Sequence, residues 1–278
     1  MDSVAFAFLL TLLAGLSTAI GSAVAFFAKR ANTNFLAGSL GFSAGVMIYV
    51  SMIELFPAAQ NSLRLALGER RGSFATVIAF FGGMLLIGLI DRIVPSAENP
   101  HEVRAMPEPA NGETGPLVPE TRPDKHHTPN TLMHTGLFMA LSIGIHNFPE
   151  GMATFIAAMQ DPSIAIPIVI AIALHNIPEG IAVSVPIYYA TGDRRKAFWL
   201  SALSGLAEPL GALVGYFFLL RFMSDSMFGI IYAMIAGIMV FISLDELLPS
   251  AQAYGAHHLS IYGLVAGMAV MAASLLLL

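Results

Sequence analysis

The sequence contains no cysteine. This absence excludes disulfide bonds, and it also excludes sites that hold zinc, copper or iron–sulfur clusters through thiolates. Any metal site in this chain therefore has to use imidazole, carboxylate, amide or thioether ligands.

Charged residues are also scarce, at 11% of the 278 residues, compared with about 25% in a typical soluble domain. Hydrophobic residues make up 56%, and they cluster into runs of the roughly 20 residues that a helix needs to span the hydrocarbon core of a bilayer. The first residues, Met1-Asp2-Ser3, lack the basic start of a signal peptide, so we expect the first run to be retained. Most of the surface is predicted to face lipid.

The hydrophobic runs predict an all-α integral membrane protein with eight transmembrane helices, forming a single domain over residues 1–278. Most runs are separated by short polar connections. Residues 95–130 are instead rich in Pro, Glu, Gly and Thr, and they are predicted to form a disordered loop. The predicted helices are 4–28, 35–59, 74–94, 132–159, 164–190, 197–222, 227–249 and 259–278.

Lysine and arginine are distributed unequally among the connections. With the N-terminus outside, nine of these residues fall in the inner loops and four in the outer loops. Because positive residues accumulate on the cytoplasmic side of a membrane, both termini are predicted to lie outside and the long loop in the cytoplasm. We expect a multi-pass protein of the cell (inner) membrane.

Parts of the sequence repeat each other. Residues 45–60 and 237–252 are identical at half of their aligned positions, at an offset of 192, and the first helix matches the sixth at an offset of 190. Related helices are separated by an odd number of crossings, so they run in opposite directions. We therefore predict an inverted 3+2+3 repeat, with helices 1–3 related to 6–8 and helix 4 to helix 5, an arrangement recurrent in secondary transporters.

The fourth and fifth helices share the motif HN-x-PEG, at residues 146–151 and 175–180. Its His and Glu are four residues apart and project from one helix face. Ionisable groups at membrane depth are costly and usually functional, and without a neighbouring Lys or Arg they need protons or a metal ion as counter-charge. The predicted metal ligands are His146, Asn147, Glu150, His175, Asn176 and Glu179, with Glu208 of the sixth helix added because of its depth.

Four further residues are candidates for the path that an ion follows to and from this site. Glu54 is predicted near the outer end of the second helix, and Asp245 and Glu246 near the inner end of the seventh. Met47 lies near mid-depth and offers a soft thioether ligand. The alternatives are carboxylates that are merely solvated at the interface and a methionine that only packs.

The ligand types restrict the chemistry. Imidazole with carboxylate suits Zn²⁺, Fe²⁺, Mn²⁺, Co²⁺ and Cd²⁺, whereas Mg²⁺ and Ca²⁺ prefer all-oxygen shells. The two motifs can hold one ion, or two ions bridged by the glutamates. The GxxxG pairs at 41/45, 211/215 and 263/267 are predicted to be helix contacts without direct chemistry.

Three functions compete at this point. A carrier of divalent transition metals accounts for both the repeat and the motifs. An intramembrane zinc hydrolase would also need buried His and Glu, but the sequence has no HExxH motif and an enzyme has no need of an inverted duplication. A carrier of organic solutes fits the repeat and leaves the paired motifs unexplained.

At the residues of the two motifs the sequence resembles the ZIP (Zrt-, Irt-like protein) family of divalent-metal transporters, and most of all its bacterial ZupT-type branch. The resemblance covers nearly the whole chain. It implies eight helices, outer termini, a variable cytoplasmic loop, a metal centre at the motif residues with Glu208, and import toward the cytoplasm. It further implies a transporter, not an enzyme, with zinc as the first substrate. No prosthetic group and no nucleic acid is expected, the partners are metal ions and the lipid bilayer, and a homodimer is left open.

Overall fold

The computed structural model describes residues 3–27, 33–93, 129–160, 162–219, 224–253 and 257–277. Within these residues the chain forms eight helices and no strand, which confirms the predicted all-α fold. The helices are α1 (Ser3–Phe27), α2 (33–67), α3 (Glu69–Ile93), α4 (Pro129–Gln160), α5 (Pro162–Thr191), α6 (194–219), α7 (225–253) and α8 (His257–Leu277).

Seven of these helices are long and apolar enough to cross a membrane. Helix α4 is not among the seven, although it has 32 residues. Its motif residues His146, Asn147 and Glu150 are flanked by fewer Ile and Val residues than the matching motif of α5. These three side chains are buried inside the protein, so the low hydropathy of α4 does not expose polar groups to lipid. The chain is a multi-pass membrane protein.

Helix α2 is longer than predicted. It continues to Leu67 instead of ending at residue 59, and α3 begins at Glu69 instead of residue 74. Gly68 alone connects them, with a φ of 84° that glycine adopts readily. A helix of 35 residues measures about 52 Å, which exceeds the roughly 30 Å of the hydrocarbon core. Glu54 therefore does not lie near the end of its helix as predicted, because residues 55–67 follow it.

The start of α4 corrects the predicted loop. Pro129 occupies the first position of the helix, where its missing N–H costs no hydrogen bond. The predicted disordered loop 95–130 therefore extends two residues too far, and residues 94–128 lie outside the described residues.

Helix α6 is interrupted where the sequence predicted a continuous helix. Its first segment is Arg194–Gly205 and its second is Ala207–Val214. Leu206 lies between them and caps both. Pro209 explains the interruption, because it has no N–H to donate to the carbonyl of Gly205. The break places Glu208 in the first turn of the second segment.

Helices α2 and α7 each contain one π-helical segment, Ser51–Leu55 and Ser243–Leu247. In both, the next backbone N–H donates to the carbonyl five residues earlier, from Phe56 to Ser51 and from Leu248 to Ser243. A proline, Pro57 or Pro249, stands two residues after each segment. It cannot donate to the carbonyl four residues before it, so the regular ladder is interrupted there in any case. The two segments contain Glu54 and Glu246, and π segments often occur at functional sites.

Glycines set the closest helix crossings. A Cβ atom on Gly21 of α1 would overlap the backbone of Ile177 in α5, and one on Gly211 of α6 would overlap Phe148 in α4. The GxxxG glycines behave in the same way between α2 and α8, where Gly41 meets Ser260 and Gly267 meets Phe42. Backbones approach this closely only where no side chain intervenes.

The crossings occur in pairs with constant offsets. The Gly21–Ile177 and Gly211–Phe148 contacts are related by 190 residues between α1 and α6 and by 29 between α5 and α4. The contacts of α2 with α8 correspond likewise to those of α7 with α3, where Gly237 meets the backbone of Phe80. Helices α4 and α5 pack against each other and also against α1, which brings the two motifs together.

Candidate metal site

All seven predicted ligands are buried between α4, α5 and α6. The exposed fraction is 1% for Glu150 and 0% for the other six. In each motif the His and Glu are one helical turn apart, and the following glycine permits the close crossing beside them, Gly151 against Glu208 and Gly180 against Thr18. The predicted residues therefore meet at one place in the fold.

The histidines and glutamates pair across the two helices. His146 Nε2 lies 3.2 Å from Glu179 Oε2, and His175 Nε2 lies 3.3 Å from Glu150 Oε2. Each pair takes one side chain from α4 and one from α5. Two ligands of one tetrahedral zinc, each about 2.0–2.1 Å from the ion, are about 3.3 Å apart. Both pairs already have the separation that a shared ion requires.

Glu208 joins the site through Asn176. The Asn176 side-chain amide donates to Glu208 Oε1 and also to the Ala14 carbonyl, at 3.1 Å for the latter. The equivalent amide of Asn147 donates to the Ser204 carbonyl at 3.5 Å. Both amides thus donate their N–H groups to protein acceptors, and their oxygen atoms have lone pairs that can bind a cation.

Six atoms of the predicted ligands have no hydrogen-bond partner among the described residues, although they are fully buried. A buried polar atom without a partner costs about 1–3 kcal/mol, so a cluster of six is unusual. All six belong to groups that bind cations through lone pairs, and each comes from a different predicted ligand: His146 Nδ1, Asn147 Oδ1, Glu150 Oε1, His175 Nδ1, Asn176 Oδ1 and Glu208 Oε2.

The site contains several carboxylates and, within the described residues, no buried Lys or Arg. Between Pro129 and Thr191 the sequence has no Lys or Arg, so neither α4 nor α5 supplies one. Glu208 lies within electrostatic range of both Glu150 and Glu179. Negative charge concentrated in a buried site requires a cation or protons, which agrees with the chemistry inferred from the motifs.

The ligands are arranged as pairs and not as a complete coordination shell. In the part of the chain that the structure describes, no three His, Asp or Glu side chains are grouped closely enough to hold a metal. Each imidazole contacts a carboxylate instead.

The four candidates for the ion path lie in different surroundings. Met47 is fully buried, and Glu246 is 6% exposed and within electrostatic range of His146. Glu54 is partly buried and within electrostatic range of Tyr232. Asp245 is partly buried in the same π segment as Glu246. Of these four, Glu246 has an electrostatic interaction with a predicted ligand, His146.

Two hydroxyl residues at the site were missed in the sequence. Ser43 of α2 donates to Glu179 Oε1 at 3.1 Å, and Thr18 of α1 is buried beside Gly180 with an unpartnered hydroxyl. A lone Ser or Thr in an apolar helix gives no signal by itself. The sequence offers one signal, which is that these two positions break the repeat. An offset of 192 aligns the polar Ser43 with the apolar Ile235, and an offset of 190 aligns Thr18 with Glu208.

Comparison with known proteins decides the family. A family profile described as "ZIP Zinc transporter" matches residues 96–275. The chain is 60% identical over 271 residues to the zinc transporter ZupT of Streptococcus mutans serotype c, covering 98% of this chain and 97% of that protein. The chain belongs to the ZIP zinc transporter family. The zinc transporter ZupT of Clostridium perfringens is 60% identical over 278 residues, covering 100% and 97%, and that of Oceanobacillus iheyensis is 60% identical over 278 residues, covering 100% of both chains.

Membership in the ZIP family confirms the resemblance predicted from the two motifs. It also confirms that the protein is a transporter and not an enzyme. The intramembrane hydrolase, which was the main competing hypothesis, is therefore set aside.

Proposed function

We propose that this ZIP protein imports divalent transition-metal ions, zinc first, through a site near the middle of the membrane. The observation that carries the proposal is the cluster of six unpartnered lone-pair atoms, which come from Glu208 and from every motif ligand except Glu179. They lie in a buried site to which α4 and α5 bring no Lys or Arg. The relatives named zinc transporters support zinc as the first substrate.

The ligand chemistry extends the proposal to other metals. Imidazole nitrogen with carboxylate and amide oxygen suits Fe²⁺, Mn²⁺, Co²⁺ and Cd²⁺ as well as zinc, and it suits Mg²⁺ poorly. The ion is the substrate of the protein and not a resident cofactor. A mixed shell of this kind also releases its ion more easily than a thiolate cage.

The repeat suggests how the ion crosses. The helix crossings that recur with constant offsets support an inverted repeat, and carriers built in this way alternate access around a central site. We propose that Glu54 and Met47 belong to the outer path and that Asp245 and Glu246 belong to the inner path. Residues 1–278 then form one transmembrane domain with both termini outside and the long loop in the cytoplasm. Association as a homodimer is compatible with this arrangement.

The test is metal uptake into proteoliposomes that contain a chelating dye. We expect wild type to take up Zn²⁺, Cd²⁺, Fe²⁺ and Mn²⁺ but not Mg²⁺. The His175→Ala/Glu179→Ala variant removes one ligand from each cross-helix pair and should abolish uptake. The matched control, His257→Ala/Glu69→Ala, removes one imidazole and one carboxylate from exposed positions and should transport as wild type does.

Gel filtration and thermal unfolding have to show that each variant is folded. If folded wild-type protein takes up no metal, the transport proposal is wrong. If uptake survives the change of His175 and Glu179, the site lies elsewhere in the chain.

A further inference from the structure

Ser43 connects α2 to the motif of α5. Its side chain is fully buried, and its hydroxyl lies 3.1 Å from Glu179 Oε1 and 3.4 Å from the carbonyl oxygen of His175. The hydroxyl has one proton, and the nearer acceptor is the carboxylate. Ser43 thus contacts both ligand positions of this motif.

The corresponding position in the other half of the repeat cannot do the same. The offset of 192 pairs Ser43 with Ile235, which is buried and has no hydroxyl. Glu150, the motif glutamate of α4, keeps Oε1 without any hydrogen-bond partner. The two motifs have the same ligands, but within the described part of the chain only Glu179 of the two glutamates is held by a donor from outside α4 and α5.

This difference changes what each glutamate offers to an ion. Glu179 has Oε1 occupied by Ser43, so it presents Oε2 beside His146. Glu150 has Oε2 beside His175 and its second oxygen free. Donors behind a ligand fix its orientation, and removing such a donor typically lowers metal affinity about 10–100-fold.

We infer that Ser43 is a positioning residue that holds Glu179 as a one-oxygen ligand, while Glu150 stays free to bind through one or both oxygens. The inference rests on the proposed metal site and adds that its two halves are unequal. Glu179 is the pre-oriented ligand, and Glu150 is the ligand that adapts to the ion.

The first test measures the zinc dissociation constant of purified protein by competition with a chelating dye. Ser43→Ala is expected to weaken zinc binding about 10-fold or more, while Ser43→Thr, which keeps the hydroxyl, stays close to wild type. Thr11→Ala is the matched control, because the buried Thr11 hydroxyl donates to the Ala7 carbonyl of its own helix, and it should bind zinc as wild type does. If Ser43→Ala does not fold, Ser43→Thr is compared with Ser43→Val. Valine has the shape of threonine, with a methyl group in place of the hydroxyl.

A second measurement separates positioning from a general structural role. In a Glu179→Gln background, Ser43→Ala should cause little further loss of zinc affinity, because the carboxylate that Ser43 holds is already gone. In a Glu150→Gln background the same change should cause its full loss. Equal losses in both backgrounds would mean that Ser43 acts on the fold and not through Glu179.

The outcomes distinguish the inference from the proposed function. Folded wild-type protein that neither binds nor transports zinc would overturn the metal site itself. Wild-type protein that binds and transports zinc, with Ser43→Ala unchanged in affinity, would leave the site in place and overturn only the role of Ser43.

Discussion

Glu208 is the one predicted ligand that does not belong to a repeated motif. The structure places its carboxylate against the Asn176 amide, with the second oxygen unpartnered and fully buried. Its counterpart in the repeat, Thr18, is buried nearby with an unpartnered hydroxyl of its own. The difference between the two halves therefore supplies one further carboxylate to the site.

Glu208→Gln tests whether this carboxylate binds the ion. Glutamine keeps the shape and can still accept from Asn176, but it removes the negative charge. We expect zinc affinity to fall by at least about 10-fold, the lower range for loss of a group that only supports a ligand, as measured by dye competition. Glu69→Gln, at an exposed carboxylate, is the control and should leave affinity unchanged. Unchanged affinity in Glu208→Gln would assign Glu208 to packing with Asn176.

At the residue scale, the duplication of the motif allowed the sequence to predict which side chains lie together, while their role as metal ligands stays a prediction. His and Glu at helical spacing occur twice, and the structure buries both sets together. Ser43 and Thr18 were not predicted, because a single hydroxyl on an apolar helix is compatible with lipid, packing or function. These hydroxyls lie beside the motif because α2 and α1 pack against α5, and this packing is known only from the structure.

Among the elements, α3 offers the clearest test of the close crossings. Gly82 and Gly83 are neighbours, but a Cβ on Gly83 would overlap the backbone of Met234 in α7, whereas a Cβ on Gly82 meets open space. Gly83→Ala should destabilise the protein by about 1–3 kcal/mol, as overpacking usually does, and lower the apparent Tm by roughly 2–12 °C.

Gly82→Ala is the matched control on the same helix. Alanine is the better helix former by about 1 kcal/mol, so this variant should keep or slightly raise the Tm. Equal effects of the two changes in a thermal unfolding assay would contradict the assignment of Gly83 to the crossing between α3 and α7.

The helices were predictable in number but not in detail. The predicted helices left residues 60–73 outside any helix, yet the structure continues both helices into this stretch, where Arg64 and Glu69 form an ion pair at 3.1 Å. The π segments at Ser51–Leu55 and Ser243–Leu247 left no pattern in hydropathy. Their only trace in the sequence is a proline two residues after each segment, and a proline alone also fits an ordinary kink.

For the whole molecule, the orientation in the membrane can be tested directly because the chain has no cysteine. Arg71 lies in the first turn of α3, close to Gly68, and Arg195 lies at the start of α6; both positions are exposed and can be changed to cysteine one at a time. A membrane-impermeant maleimide should label position 71 in intact cells and position 195 only after permeabilisation, because basic residues favour the cytoplasmic side.

Wild-type protein, which has no thiol to react, is the control for background labelling. The opposite labelling pattern would place both termini in the cytoplasm. Glu54 would then lie on the inner path and Glu246 on the outer path.

The complete burial of the ligands also has a consequence for speed. An ion in solution cannot touch side chains that have 0–1% of their surface exposed, so at the proposed site each transfer would have to wait until helices separate on one side. Collective motions of this kind take microseconds to milliseconds. The proposal therefore predicts that the number of ions that one protein moves per second is limited by its own opening rate and not by diffusion, however steep the concentration gradient becomes.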